Sequence, residues 1–150
     1  MSDKRQLIPI AGFFATAAFA TYMVVQISGQ APSPVAGNFT NAGLAQVKDA
    51  QGQVVLQGPF VMADEDDDDT ERKAKLKSTV GTKASGEAEV EFAKSAPATQ
   101  ELEFSARGLP AGAAFTFVID GQTIATVTTD RQGNAEAELD IKIPGTSSSR

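Results

Sequence analysis

The chain has 150 residues, a formal net charge of −6 at pH 7, and no cysteine, histidine or tryptophan. Without cysteine or histidine, this chain cannot form disulfides, thiolate metal sites or a catalytic triad that uses histidine. Its acidic balance argues against nucleic acid as a partner. We therefore expect a protein that is not an enzyme and that carries no cofactor.

The first long apolar stretch, residues 7–27, carries no charge. As a helix it would span roughly 30 Å, which matches the hydrocarbon core of a bilayer. Lys4 and Arg5 precede it and the next basic residue is Lys48, so the positive-inside rule predicts a cytoplasmic tail (1–6) and an extracytoplasmic, periplasmic remainder. The length favours a retained single-pass anchor, while small residues at 28–31 keep a cleaved signal peptide as the alternative.

Small side chains recur every four residues in this predicted helix, at Gly12, Thr16 and Ala20. Such a face lets helix backbones approach closely in a membrane, which predicts packing against integral membrane protein subunits. The alternative is that these residue types are simply common in membrane helices. Residues 28–42, rich in Pro, Gly and Ser, are predicted to be a linker.

From residue 43 to 145 the sequence changes to short alternating runs separated by turn residues, and residues 146–150 form a polar tail. This pattern predicts an all-β fold, a small antiparallel β-sandwich of the immunoglobulin-like or Greek-key type, with a closed sheet as the related alternative. Asp120-Gly121 is the strongest hairpin signal. The clearest alternating or apolar runs are residues 87–92, 101–105, 114–119, 123–128 and 136–143.

A weak internal match between residues 43–92 and 108–139 predicts that residues 60–78 are a charged insertion into a plain β unit. The insertion contains a run of carboxylates, which has three interpretations. It is a solvated loop, a docking patch for a basic extracytoplasmic protein, or a weak calcium site with Asp64, Asp66 and Asp68 as the candidate ligands. The docking patch comprises Asp64, Glu65, Asp66, Asp67, Asp68, Asp69 and Glu71.

Three turns in the second half carry a resemblance to a known class of domain. They are a Gly-Leu-Pro-x-Gly turn at 108–112, the Asp-Gly pair at 120–121, and a Thr-x-Asp-x-x-Gly turn at 128–133. In these turns, residues 87–143 resemble bacterial extracytoplasmic repeat-type β-sandwich domains. The resemblance implies a structural or adhesive module without a shared active site, so no site residues carry over.

Together these features predict a single-span, non-catalytic accessory subunit of a larger membrane complex, with energy-transducing and photosynthetic complexes as the candidates by analogy. Its β domain would cover the extracytoplasmic face of that complex. The alternative is an anchored or secreted binding module that captures calcium or a basic protein partner through the acidic run.

Overall fold

A computed structural model describes residues 35–65, 69–93 and 99–144. The predicted membrane helix, with Gly12, Thr16 and Ala20, lies outside these residues, as does the tail after residue 144. No helix in the described part of the chain is long and apolar enough to span a bilayer.

The described residues form eight β-strands, and every pair of neighbouring strands is antiparallel. The strands are β1 (Leu44–Lys48), β2 (Val54–Glu65), β3 (Asp69–Ser78), β4 (Ser85–Ala93), β5 (Thr99–Arg107), β6 (Ala114–Ile119), β7 (Gln122–Thr128) and β8 (Ala135–Lys142). The predicted all-β, antiparallel class is confirmed.

These strands form one continuous sheet in the order β7-β6-β1-β2-β3-β4-β5-β8. Strands β1 to β5 follow one another, β6 returns to pair with β1, and β8 pairs with β5. The rings of Phe104 on β5 and Phe117 on β6 stack with their centroids 4.8 Å apart, although these strands are not sheet neighbours. The sheet therefore curves into a nearly closed, barrel-like form around a shared core, where the sequence predicted two facing sheets.

Alternate residues of the strands fill the interior, and many of them are small. At two positions within the strands, neighbouring backbones come too close for any side chain. A Cβ on Gly58 would collide with the Lys75 carbonyl oxygen, and one on Gly86 with the Ser105 carbonyl oxygen. Glycine at such positions allows the tight bending that a nearly closed sheet requires. Among the described residues, the largest fully buried side chains are Val47, Leu56, Leu76, Val90, Gln100, Leu102, Phe117, Val118 and Ile119.

The described residues of the predicted charged insertion, 60–65 and 69–78, form the second half of β2 and the whole of β3. The strands form because every second residue of β3 still points inward. Thr70, Ala74 and Leu76 are buried, while lysines and carboxylates occupy the positions between them. Charge in this stretch is therefore compatible with a central strand, because its lysines and carboxylates lie on the solvent side, while Arg72 takes the inward position between Thr70 and Ala74 and is half-buried.

At one end of the sheet the two crossover connections, residues 108–113 and 129–134, are bonded to each other. The buried Thr129 Oγ1 accepts a hydrogen bond from the Ala113 N–H (3.0 Å) and donates one to the Pro110 carbonyl (2.6 Å). We call this the far end, because the chain enters the sheet at the other.

Candidate functional site

The chain reaches β1 through residues 35–43, which lie across the opposite end of the sheet, the entry end. Buried Gln100 on β5 holds this segment in place. Its Oε1 accepts from the Phe39 N–H (2.8 Å) and its Nε2 donates to the Gly37 carbonyl (2.6 Å). The Asp120 carboxylate, in the β6–β7 turn, accepts from the N–H groups of Gly43 and Leu44. The end of the domain from which the N-terminal linker leaves is thus fixed.

The predicted docking patch lies at this same entry end. Strand β2 runs beyond the start of β1, where Leu44 is opposite Pro59, and continues to Glu65. Backbone pairing joins Asp64 to Glu71 and Glu65 to Thr70, so strands flank residues 66–68 on both sides. Paired strands therefore lie on either side of the acidic run, and we call residues 64–71 the acidic hairpin.

Some residues of the predicted docking patch belong to the described part of the chain and others do not. Asp69 and Glu71 belong to β3, the backbones of Asp64 and Glu65 belong to β2, and Asp66, Asp67 and Asp68 lie outside the described residues. In the described residues, no group of three acidic side chains is arranged to hold a metal ion. The calcium interpretation, with Asp64, Asp66 and Asp68 as the candidate ligands, stays a prediction.

Two apolar side chains beside the hairpin are exposed to solvent. Val61 and Met62 on β2 are 59% and 50% exposed. Arg72 lies across from Met62 in the β2–β3 pair, with its Nη1 3.9 Å from the Met62 sulfur. The base of the acidic hairpin therefore offers apolar contact area next to its carboxylates, a combination found at protein interfaces.

The structure also assembles an acidic surface that the sequence analysis did not single out. Three strands, β4, β5 and β8, are adjacent in the sheet, and each carries two or three carboxylates at consecutive solvent-facing positions. We call this surface the acidic face. Its members are Glu87, Glu89, Glu91, Glu101, Glu103, Glu136, Glu138 and Asp140. The alternation of each strand was visible in the sequence, but their adjacency depends on β8 pairing with β5.

The strand register places these carboxylates directly opposite one another. Glu101 on β5 lies between Glu91 on β4 and Asp140 on β8, and Glu103 lies between Glu89 and Glu138 in the same way. Directly opposed side chains have Cβ atoms about 4.5–5.5 Å apart, at which distance like charges destabilise a sheet. Partial burial, and then the charges of the neighbouring carboxylates, raise the pKa of Glu101.

On the β3 side the acidic face is partly neutralised. The Lys73 ammonium lies 2.7 Å from a Glu71 carboxylate oxygen and 3.4 Å from one of Glu89. Burial, together with a hydrogen bond to the Glu71 carboxyl, raises the pKa of Glu89 to about 7. The hydrogen bond from Glu89, followed by the one from Lys73, lowers the pKa of Glu71. One lysine is thus shared by two acids that also share a proton near neutral pH.

The remaining positive charge of β3 follows the same edge of the acidic face. Lys75 lies opposite Glu87, and Lys77 lies opposite Ser85. On β5 and β8, by contrast, the positive side chains described facing solvent are Arg107 and Lys142, at strand ends. The acidic face is therefore compensated along β4 and uncompensated along β5 and β8, where it can attract a cationic surface.

Searches with the sequence and the structure found no matching protein-family model, no matching curated protein and no matching solved structure.

Proposed function

We propose that this chain is a non-catalytic, single-span accessory subunit of a membrane protein complex, whose β domain covers the extracytoplasmic side and docks on a basic protein surface. The N-terminal helix packs laterally on integral membrane subunits through Gly12, Thr16 and Ala20. The observation that supports the docking role most directly is the acidic face, because its opposed rows of carboxylates lower their repulsion when a cationic partner covers them.

The position of the entry end supports a partner that lies close to the membrane. Seven residues separate the predicted helix from residue 35, and a fully extended chain of that length reaches at most ~25 Å. The acidic hairpin leaves the sheet at the same end. An acidic surface held this near the membrane is positioned to contact basic extracytoplasmic loops of membrane subunits.

The experiment compares two full-length variants with the same change in charge, each expressed in the native membrane in place of the wild type. Glu101→Gln/Glu103→Gln/Glu138→Gln neutralises the uncompensated part of the acidic face. Asp66→Asn/Asp67→Asn/Asp68→Asn neutralises the hairpin tip. Complexes extracted in mild detergent are analysed by native electrophoresis and mass spectrometry at increasing salt.

We expect the wild type to co-migrate with fixed partners and to dissociate as salt screens the charges. The complex of the face variant should dissociate at a several-fold lower salt concentration than that of the wild type. The hairpin variant, with the same change in charge, shows whether docking depends on the acidic hairpin or on the acidic face. A wild-type chain that runs as a monomer in mild detergent contradicts the subunit proposal. If that monomer also binds calcium in a calorimeter, the result supports the alternative function, an anchored binding module.

A further inference from the structure

The two ends of the sheet, β7 and β8, face each other across an unpaired seam. They come near each other, and a short connection joins Thr128 to Ala135, but no backbone ladder is formed between them in the described residues. Strand β8 pairs with β5 along one side only. Its other side therefore presents backbone N–H and C=O groups of the kind that accept an added strand.

The side chains that border this seam on the interior side are apolar and incompletely covered. Ala137 and Leu139 of β8, and Ala125 and Val127 of β7, pack against the core but are only partly buried. The neighbouring Ile141 of β8, by comparison, is buried. A strand added beside β8 would cover Ala137 and Leu139 with every second side chain, so those side chains should be apolar.

The solvent side of β8 sets the chemistry of the remaining side chains. Glu136, Glu138 and Asp140 are exposed there, and the residues opposite them on β5 are Ser105, Glu103 and Glu101. The acidic row therefore reaches the edge of the sheet with no cation directly opposite it on β5, and the described basic residues of these two strands, Arg107 and Lys142, lie at strand ends. An added strand with Lys or Arg at the outward positions would place positive charges directly opposite these carboxylates.

The fold already contains one pair of neighbouring strands in which an acidic strand lies beside a basic one. Strand β4 reads Glu-Ala-Glu-Val-Glu at residues 87–91, and β8 repeats the pattern as Glu-Ala-Glu-Leu-Asp at residues 136–140. The neighbour of β4 is β3, which reads Lys-Ala-Lys-Leu-Lys at residues 73–77 and places its lysines opposite Glu89 and Glu87. The acidic strand β4 is thus matched by an alternating basic and apolar strand, whereas β8 has the same pattern and, among the described strands, no partner on its second edge.

We propose that β8 binds an extended segment of a partner protein, in which apolar residues alternate with Lys or Arg, by β-strand addition at its free edge. This inference rests on the proposed docking function and gives it a binding mode. Backbone hydrogen bonds supply affinity, the apolar residues close the seam over Leu139, and the basic residues pair with Glu136, Glu138 and Asp140.

The test uses the full-length protein in a nonionic detergent and the synthetic peptide Lys-Val-Lys-Val-Lys-Val-Lys as the probe. A peptide of the same composition with contiguous lysines, Lys-Lys-Lys-Lys-Val-Val-Val, is the control. Calorimetry should show that the alternating peptide binds at least tenfold more tightly. Amide hydrogen exchange should show new protection at residues 136–142 and little change in β4.

Two charge reversals of equal size separate strand addition from general attraction to the acidic face. Glu138→Lys, at the free edge, should weaken binding of the alternating peptide at least tenfold. Glu91→Lys, exposed on β4 two strands away from that edge, should change it less than threefold. Circular dichroism of each variant checks that the sheet is retained, and a variant that does not fold is replaced by Glu138→Gln or Glu91→Gln.

Equal binding of the two peptides, equal effects of the two reversals, or no protection of β8 would overturn strand addition. The docking proposal would still stand if the native complex kept its dependence on salt and on the acidic face. If the protein self-associates without peptide and β8 becomes protected, the occupant is a second copy of this chain, and the assignment to a partner segment is wrong.

Discussion

At the scale of single residues, the contacts that fix this domain join positions far apart in the sequence. Gln100 holds Phe39 across 61 residues and Asp120 holds Leu44 across 76. Asp120 also occupies the left-handed region (φ 46°) in the predicted Asp120-Gly121 turn, where Asp is tolerated better than most residues. The turn itself could be predicted from two adjacent residues. The second role of its carboxylate, and that of Gln100, could not, because no local pattern marks the partner.

Glu89 gives the domain a pH dependence. Its pKa in the folded state is about 7, above the ordinary value of 4.5, so the folded state holds a proton that the unfolded chain has released between these pH values. Stability should therefore fall as the pH rises through this window. The lowered pKa of Glu71 acts below pH 4.5, where its stabilising contribution is lost, and does not reverse this slope.

We expect Glu89→Gln to flatten the decline in stability between pH 5 and 8, with a gain of about 0.2–1 kcal/mol at pH 8 relative to the wild type. Urea unfolding followed by circular dichroism at several pH values measures this. Glu87→Gln, two residues along the same strand and opposite Lys75, is the matched control and should keep the wild-type slope. An unchanged slope in Glu89→Gln would contradict this assignment.

At the scale of secondary-structure elements, curvature depends on the close approach of β2 to β3 at Gly58. Gly58→Ala places a Cβ against the Lys75 carbonyl oxygen, so the strands must separate or shift. We expect a loss of about 1–3 kcal/mol in the free energy of unfolding, as for other overpacked positions. Gln57→Ala, at the neighbouring exposed position, should stay within about 0.5 kcal/mol. Equal stabilities in chemical denaturation would show that the sheet does not need glycine here.

The sequence predicted some strands well, because their apolar and polar residues alternate. Strands β4, β5 and β8 alternate strictly, because each has one face in the core and one in solvent. Around the acidic run, the solvated loop, the docking patch and the calcium site were all compatible with the sequence, and none of them states where β2 ends and β3 begins. Alternation was the better guide there. Thr70 is buried between the solvent-facing Asp69 and Glu71, so the backbone remains extended while the charges stay hydrated.

At the scale of the whole molecule, the sheet order was beyond prediction from sequence. Closure depends on β6 crossing to β1 and on β8 returning to β5, and short local runs do not encode either pairing. The same order creates the acidic face, because it places three separately acidic strands side by side. The candidate docking surface is thus a product of topology, whereas the acidic hairpin, a continuous run, could be located from the sequence alone.

The concentration of like charge on one side of the molecule should make its stability depend on salt. Screening shortens the range of repulsion to about 8–10 Å at 0.1–0.15 M ionic strength and further at higher salt. We expect the free energy of unfolding to rise by about 0.5–1 kcal/mol between 0.02 and 0.5 M NaCl. The variant Glu101→Gln/Glu103→Gln/Glu138→Gln should show less than half of this rise. A wild type whose stability is insensitive to salt would indicate that the opposed carboxylates are already protonated or relaxed.

The way residues 35–43 are held has a mechanical consequence. Tension applied through the N-terminal linker first loads the hydrogen bonds of Gln100 and Asp120 at the entry end. Only after these break does the load reach β1, which lies between β6 and β2 and is bonded to both. A pull along β1 shears both ladders at once rather than unzipping them one bond at a time. The domain should therefore withstand force from its tether better than force applied through the one-sided edge strand β8.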